Sequence, residues 1–209
     1  MSELTVLLAG VAAYLMGSLS FAVIVSRAMG LHDPRTYGSK NPGATNVLRS
    51  GSKKAAVVTL LLDGFKGWLP VWATVHFGGQ LGLGDGAVAL VGMAAFLGHL
   101  FPVFFGFKGG KGVATAAGVL LGFQPWLGVA TLASWVLVAF FFRYSSLAAV
   151  VASVFAPTFY VFGADVVWPM APAVAVVTVV MCLLLLWRHR ENINRLLAGK
   201  ESKIGGKKK

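Results

Sequence analysis

The residues best suited to chemistry lie in a short loop between two apolar blocks, Gly106-Phe107-Lys108-Gly109-Gly110-Lys111-Gly112. Glycines let successive backbone N–H groups turn inward on an anion, because positive φ costs them nothing. Lys108 and Lys111 add full charge, and the small-residue run from Val113 predicts a helix whose N-terminus faces the same point. The pattern reads as a phosphate cradle. It is not a nucleotide P-loop, since neither Ser nor Thr follows Lys111 directly.

Two further clusters have matching chemistry. Residues 37–49 hold Ser39, Asn41, Thr45 and Asn46, which offer neutral hydrogen bonds, and Arg49, which can grip a phosphate with a bidentate fork. The glycines and proline there argue for a fixed loop shape. In residues 189–200, a continuing helix would place His189, Asn192 and Arg195 on one face at three-residue spacing. Leu196 and Leu197 would then rest on a membrane surface. His99 sits near the end of the apolar block that leads into the glycine loop, where an ionisable group is costly and functional by default. Asp63 and Lys66 interrupt another apolar block at i,i+3, so they either pair with each other or reach the site. No Cys/His pattern has metal spacing, and the carboxylates are too scattered for a metal site or a glycosidase pair. The G-x-S-x-G elbow is missing.

The elements that must position these groups are membrane helices. Of 209 residues, 57% are hydrophobic, and the mean hydropathy is +0.77, delivered in long blocks. The net charge of +11 comes from 18 basic against 7 acidic residues, and most of the bases lie between apolar blocks. That placement argues for positive-inside loops and anionic lipid or substrate, and against nucleic acid. The single cysteine, Cys182, excludes an internal disulfide. Residues 4–26 are read as an uncleaved span, since no basic n-region precedes them.

Further apolar blocks cover residues 55–75, 87–105, 113–142, 147–162 and 166–187. A crossing needs about 20 apolar residues, and Gln124-Pro125 divides the 113–142 block into a short piece and a longer one. With residues 30–54 in the cytoplasm, two crossings by 113–142 put Lys108, Lys111, Arg143 and the basic tail inside, with Asp85 and Asp165 outside. The expectation is therefore an all-α polytopic bundle of seven transmembrane helices, some short, with the N-terminus outside and the C-terminus cytoplasmic. A five-span variant with 113–142 as a re-entrant hairpin keeps the same parity. Residues 113–123 would rise only ~16 Å as a helix. The whole of 1–209 is read as one transmembrane domain, without repeats.

The three clusters, in this order, closely resemble the bacterial acyl-phosphate-dependent glycerol-3-phosphate acyltransferases, the PlsY family. The matching text is G-S-K-N-P-G-A-T-N-V-L-R at 38–49, L-D-G-F-K-G at 62–67, G-H-L-F-P-V-F-F-G-F-K-G-G-K-G-V-A-T at 98–115 and H-R-E-N-I-N-R-L-L-A-G-K-E at 189–201. Ser20 stands where a proline often follows Gly-Ser in the first span, and Lys40 where glycine is common; neither removes a proposed ligand.

The resemblance implies transfer of a fatty acyl group from acyl phosphate to the 1-hydroxyl of glycerol 3-phosphate, giving lysophosphatidic acid and phosphate with no cofactor or metal. It further implies a bacterial cytoplasmic (inner) membrane enzyme of phospholipid synthesis whose active site faces the cytoplasm. The chain is read as a monomer in transient contact with the enzyme that forms acyl phosphate. Under this reading Gly109, Gly110, Lys111 and Gly112 hold the acyl phosphate, and Ser39, Arg49, Lys108 and Asn192 hold the glycerol 3-phosphate, with His189 shaping that pocket. Asn41, Thr45, Asn46, Thr115 and Ser145 extend the donor shell, with Asp63 and Lys66 as further binding candidates. The hydroxyl proton goes to His99 or to the departing phosphate. The acyl-CoA class, with aspartate five residues after a histidine, is rejected, because no histidine here has that partner. The remaining alternative is an organic-phosphate transporter or channel.

Overall fold

A computed structural model describes residues 2–205. Among them the only regular secondary structure is helical, apart from an isolated bridge between Ala164 and Trp168. The helices are α1 (Ser2–Gly17), α2 (Phe21–Ala28), α3 (Ala44–Leu48), α4 (Lys53–Phe77), α5 (Asp85–Leu100), α6 (Val113–Phe123), α7 (Pro125–Phe142), α8 (Ser145–Gly163), α9 (Pro172–Arg188) and α10 (Arg190–Leu197). Four of them, α4, α5, α7 and α8, anchor stretches long and apolar enough to cross a bilayer; the bent pairs α1–α2 and α9–α10 raise the number to six. The chain is thus an all-helical, multi-pass membrane protein.

Helix breaks follow local chemistry. Pro125 opens α7 at its first turn, where a missing N–H costs nothing, and so ends α6 at Phe123. The block expected as one span over 4–26 instead bends by 43° at residues 18–20. The Leu19 carbonyl freed there accepts a hydrogen bond from Lys66 Nζ at 2.6 Å. The last apolar block starts its helix at Pro172, later than its sequence suggests. Before it, residues 164–168 form a turn pinned by the Trp168 indole, which donates to the Tyr160 carbonyl. The helix expected to continue through His189 turns by 58° between α9 and α10.

In lipid, helices gain little from burying apolar surface against each other, so close backbone approach matters more. α6 lies against α4, where a Cβ on Gly118 would run into the Gly64 carbonyl and one on Gly67 into the Thr115 carbonyl. α1 lies against α5 in the same way, through Gly17 at Ala95 and Gly98 at the Tyr14 carbonyl. These contacts bring α4, α5 and α6 together, so that the α5–α6 connection is the glycine and lysine loop.

Candidate active site

The loop is held from beneath and behind. Gly110 N–H donates to the His99 carbonyl at 3.2 Å, and a Cβ on Gly110 would meet the His99 ring and the Pro42 carbonyl. A Cβ on Gly109 would meet the His99 and Leu100 carbonyls. Gly112 has φ +86°, a left-handed conformation that suits glycine, and it opens α6 without a side-chain cap. The N–H groups of Lys111, Gly112, Val113 and Ala114 donate to no other described residue. Four open donors at a helix N-terminus form an electropositive surface.

His99 is buried under this surface. Its Nδ1 lies 3.0 Å from Thr115 Oγ1 and 3.6 Å from Asp63 Oδ1, and Asp63 pairs with Lys66 at 2.7 Å. Asp63, Lys66, His99 and Thr115 are each no more than 7% exposed. The Asp63–Lys66 pair is therefore mutual, as one of its two sequence readings has it, and it sits behind the loop with Lys66 tied to the α1–α2 bend. Thr115 is fully buried against His99.

Lys111 reaches in the other direction, donating to Asn192 Oδ1 on α10. Asn192 Nδ2 donates in turn to Glu201 Oε1 at 2.7 Å. Glu201 also accepts from Arg195 Nε at 2.7 Å and Ser146 Oγ at 2.9 Å. Burial pushes the Lys111 ammonium down to about 8, against the pull of the Glu201 carboxylate. Burial would raise the Glu201 carboxyl, but hydrogen bonds from Asn192, Arg195 and Ser146 outweigh it and hold the group below the usual carboxylate range. His189 is buried at the α9–α10 corner, its Nδ1–H donating to the Leu185 carbonyl at 2.8 Å.

The 37–49 segment is organised by Asn46, which is 2% exposed. Its Nδ2 donates to the carbonyls of Pro34 and Tyr37, and its Oδ1 accepts from Ser39 N–H at 3.0 Å and from Arg49 Nη1 at 3.4 Å. This is the fixed shape that the glycines and proline foretold, with the short helix α3 added. Lys40 adopts φ +55°, a left-handed conformation that costs an L-residue about 1–2 kcal/mol. Thr45 Oγ1 and Ser145 Oγ lie 3.1 Å apart, and Arg49 Nη2 donates to Ser202 at 2.8 Å. Lys108 is exposed, and Asn41 lies on the same segment as Ser39.

Most of the residues named from sequence thus fall into two adjoining polar groups. One comprises Gly109, Gly110, Lys111, Gly112 and Asn192, and the other Ser39, Thr45, Asn46, Arg49 and Ser145. The start of α8 and residues 201–202 bridge them. Sequence reasoning missed Ser146, Glu201, Ser202 and Arg188. Arg188 donates to the Gly109 and Gly110 carbonyls at 2.8 Å each. Its only signal was a position at the end of an apolar block, where a basic residue is ordinary.

Comparison with known proteins decides the class. The family model for glycerol-3-phosphate acyltransferase matches residues 7–199. The chain belongs to the glycerol-3-phosphate acyltransferase family. Its relatives include the glycerol-3-phosphate acyltransferases of Paraburkholderia phymatum, 64% identical over 97% of this chain and 94% of the relative, and Albidiferax ferrireducens, 62% identical over 93% and 87%. Crystal structures of PlsY (YgiH), an integral membrane glycerol 3-phosphate acyltransferase, superpose with TM-scores of 0.86 for the glycerol 3-phosphate form and 0.85 for the lysophosphatidic acid form. Identity to these is 39% and 38%, over 95% of both chains. This glycerol-3-phosphate acyltransferase is therefore of the PlsY type.

Proposed function

We infer that the enzyme moves a fatty acyl group from acyl phosphate to the 1-hydroxyl of glycerol 3-phosphate, forming lysophosphatidic acid and releasing inorganic phosphate. Acyl phosphate is a mixed anhydride and already activated, so the hydroxyl oxygen can attack the acyl carbon directly as the bond to phosphate breaks, without a covalent enzyme intermediate. The protein's part is positioning and electrostatics. Support comes from the contact of Lys111, beside the open N–H groups of the glycine loop, with Asn192 of α10, next to the cluster carrying Arg49. Two anion-binding groups stand side by side, as two phosphorylated substrates require.

In this reading Gly109, Gly110, Lys111 and Gly112 receive the phosphate of the acyl donor and stabilise it as it leaves. Ser39, Arg49 and Lys108 hold the phosphate of glycerol 3-phosphate, with Asn192 at the boundary and His189 fixing the corner beneath it. Asn41, Thr45, Asn46 and Ser145 complete the donor shell. Asp63, Lys66 and Thr115 support His99 instead of touching substrate. The burial of His99 beneath Gly110 favours the departing phosphate as the acceptor of the hydroxyl proton.

For topology, α1, α4, α5, α6, α7, α8 and α9 are assigned seven crossings. The N-terminus is outside, and the site and C-terminus are in the cytoplasm, because this arrangement keeps the lysine-rich loops inside. One domain over 1–209 acts as a monomer in the bacterial inner membrane and meets the acyl-phosphate-forming enzyme transiently. Purified protein given acyl phosphate and labelled glycerol 3-phosphate should yield labelled lysophosphatidic acid and an equal amount of phosphate. Uptake of label into proteoliposomes without product would instead establish a transporter.

A further inference from the structure

Arg188 is the last residue of α9 and is half-buried. Its guanidinium makes three hydrogen bonds, all to the glycine loop: Nη2 to the Gly109 carbonyl at 2.8 Å, and Nη2 and Nε to the Gly110 carbonyl at 2.8 and 3.2 Å. A trans peptide carries its C=O and N–H on opposite edges. Holding the Gly110 carbonyl therefore turns the Lys111 N–H away from Arg188, and that N–H, like those of Gly112, Val113 and Ala114, donates to no other described residue. The peptide of the Gly109 carbonyl is fixed at both edges, because its Gly110 N–H donates to the His99 carbonyl.

We propose that Arg188 is a positioning residue that clamps the glycine loop so that its N–H groups face the phosphate of the acyl donor. This rests on the reading of that loop as the acyl-phosphate cradle. Glycines at 109 and 110 are needed because a Cβ at either would strike the His99 segment, yet glycine peptides rotate freely. The clamp supplies the order that the side chains cannot. It also draws the two loop carbonyls, the negative ends of these peptides, to a cation and off the anion-binding side. A planar fork can bridge two adjacent carbonyls from one fixed orientation, whereas an ammonium cannot reproduce that geometry.

The test uses the full-length purified enzyme, with acyl phosphate and glycerol 3-phosphate varied in turn. Arg188→Gln should raise the KM for acyl phosphate by roughly 10- to 100-fold, the range set by charge-assisted hydrogen bonds, and leave that for glycerol 3-phosphate within about twofold. Inhibition by inorganic phosphate should weaken in step. Arg188→Lys keeps the charge without the fork, so it should recover part of the loss and no more. If Arg188→Gln does not fold, Arg188→Lys decides alone, and its KM for acyl phosphate must still rise. An unchanged KM for acyl phosphate in Arg188→Lys, or an equal rise in both KM values, overturns the clamp. Wild-type enzyme that makes no product from acyl phosphate would instead overturn the reading of the donor.

Discussion

Lys111 shows most directly how a membrane-surface site sets its own working range. Its ammonium is held between the cost of burial and the attraction of Glu201, and it loses its proton around pH 8 instead of above 10. Under the proposed role of Lys111, the cation that binds the donor phosphate is present below that pH and is lost as pH rises through it. The KM for acyl phosphate should be flat from pH 6.5 to 7.5 and climb about tenfold per unit well above pH 8, following the loss of the protonated fraction. Lys111→Arg, charged throughout, should flatten the profile, and an unchanged climb in that variant would assign the titration to another group. Asn192 and Glu201 matter here because they fix where the ammonium sits. In the 37–49 segment, Ser39 and Arg49 are fixed similarly, by the buried Asn46.

At the scale of elements, the breaks in the helices count for as much as the helices. Pro125 separates a short α6 from a full-length α7, and this pair decides whether the chain crosses seven times. With Cys182 replaced by alanine, single cysteines at Gln124 and Val166 should both react with a thiol reagent applied outside that cannot cross the membrane. Labelling at 166 but not at 124 would make α6–α7 a re-entrant pair.

Proline and charge made the α6–α7 break, the polar loops and the apolar blocks readable in the sequence, because each acts locally. The bend at residues 18–20 was not readable in that way. It depends on Lys66, from a distant helix, satisfying the Leu19 carbonyl. The clamp by Arg188 and the bridge at Glu201 were hidden for the same reason: their partners lie 78 and 55 positions away along the chain. Asp63 and Lys66 show the opposite case. Their polarity marked them as site candidates, but their spacing already allowed the mutual pair that the fold contains.

Across the whole molecule, glycine-mediated contacts of α4 with α6 and of α1 with α5 build the scaffold that carries the polar groups of the site. The rest of the surface is lined with apolar side chains, among them Leu61, Phe140 and Phe162, each more than 60% exposed and suited to lipid. Such a division lets a lipid-soluble donor and a water-soluble acceptor meet at the bilayer surface. The central claim is that the two phosphates are held by different residues, Lys111 with the glycine loop for one and Arg49 with the 37–49 segment for the other. The most direct measurement compares both KM values in Lys111→Ala and Arg49→Ala, prepared alike and shown to be folded. Lys111→Ala should raise the KM for acyl phosphate, and Arg49→Ala that for glycerol 3-phosphate, each by roughly 10- to 100-fold with the other KM little changed. If both substitutions raise the same KM, or each raises the two equally, the division of the site is wrong.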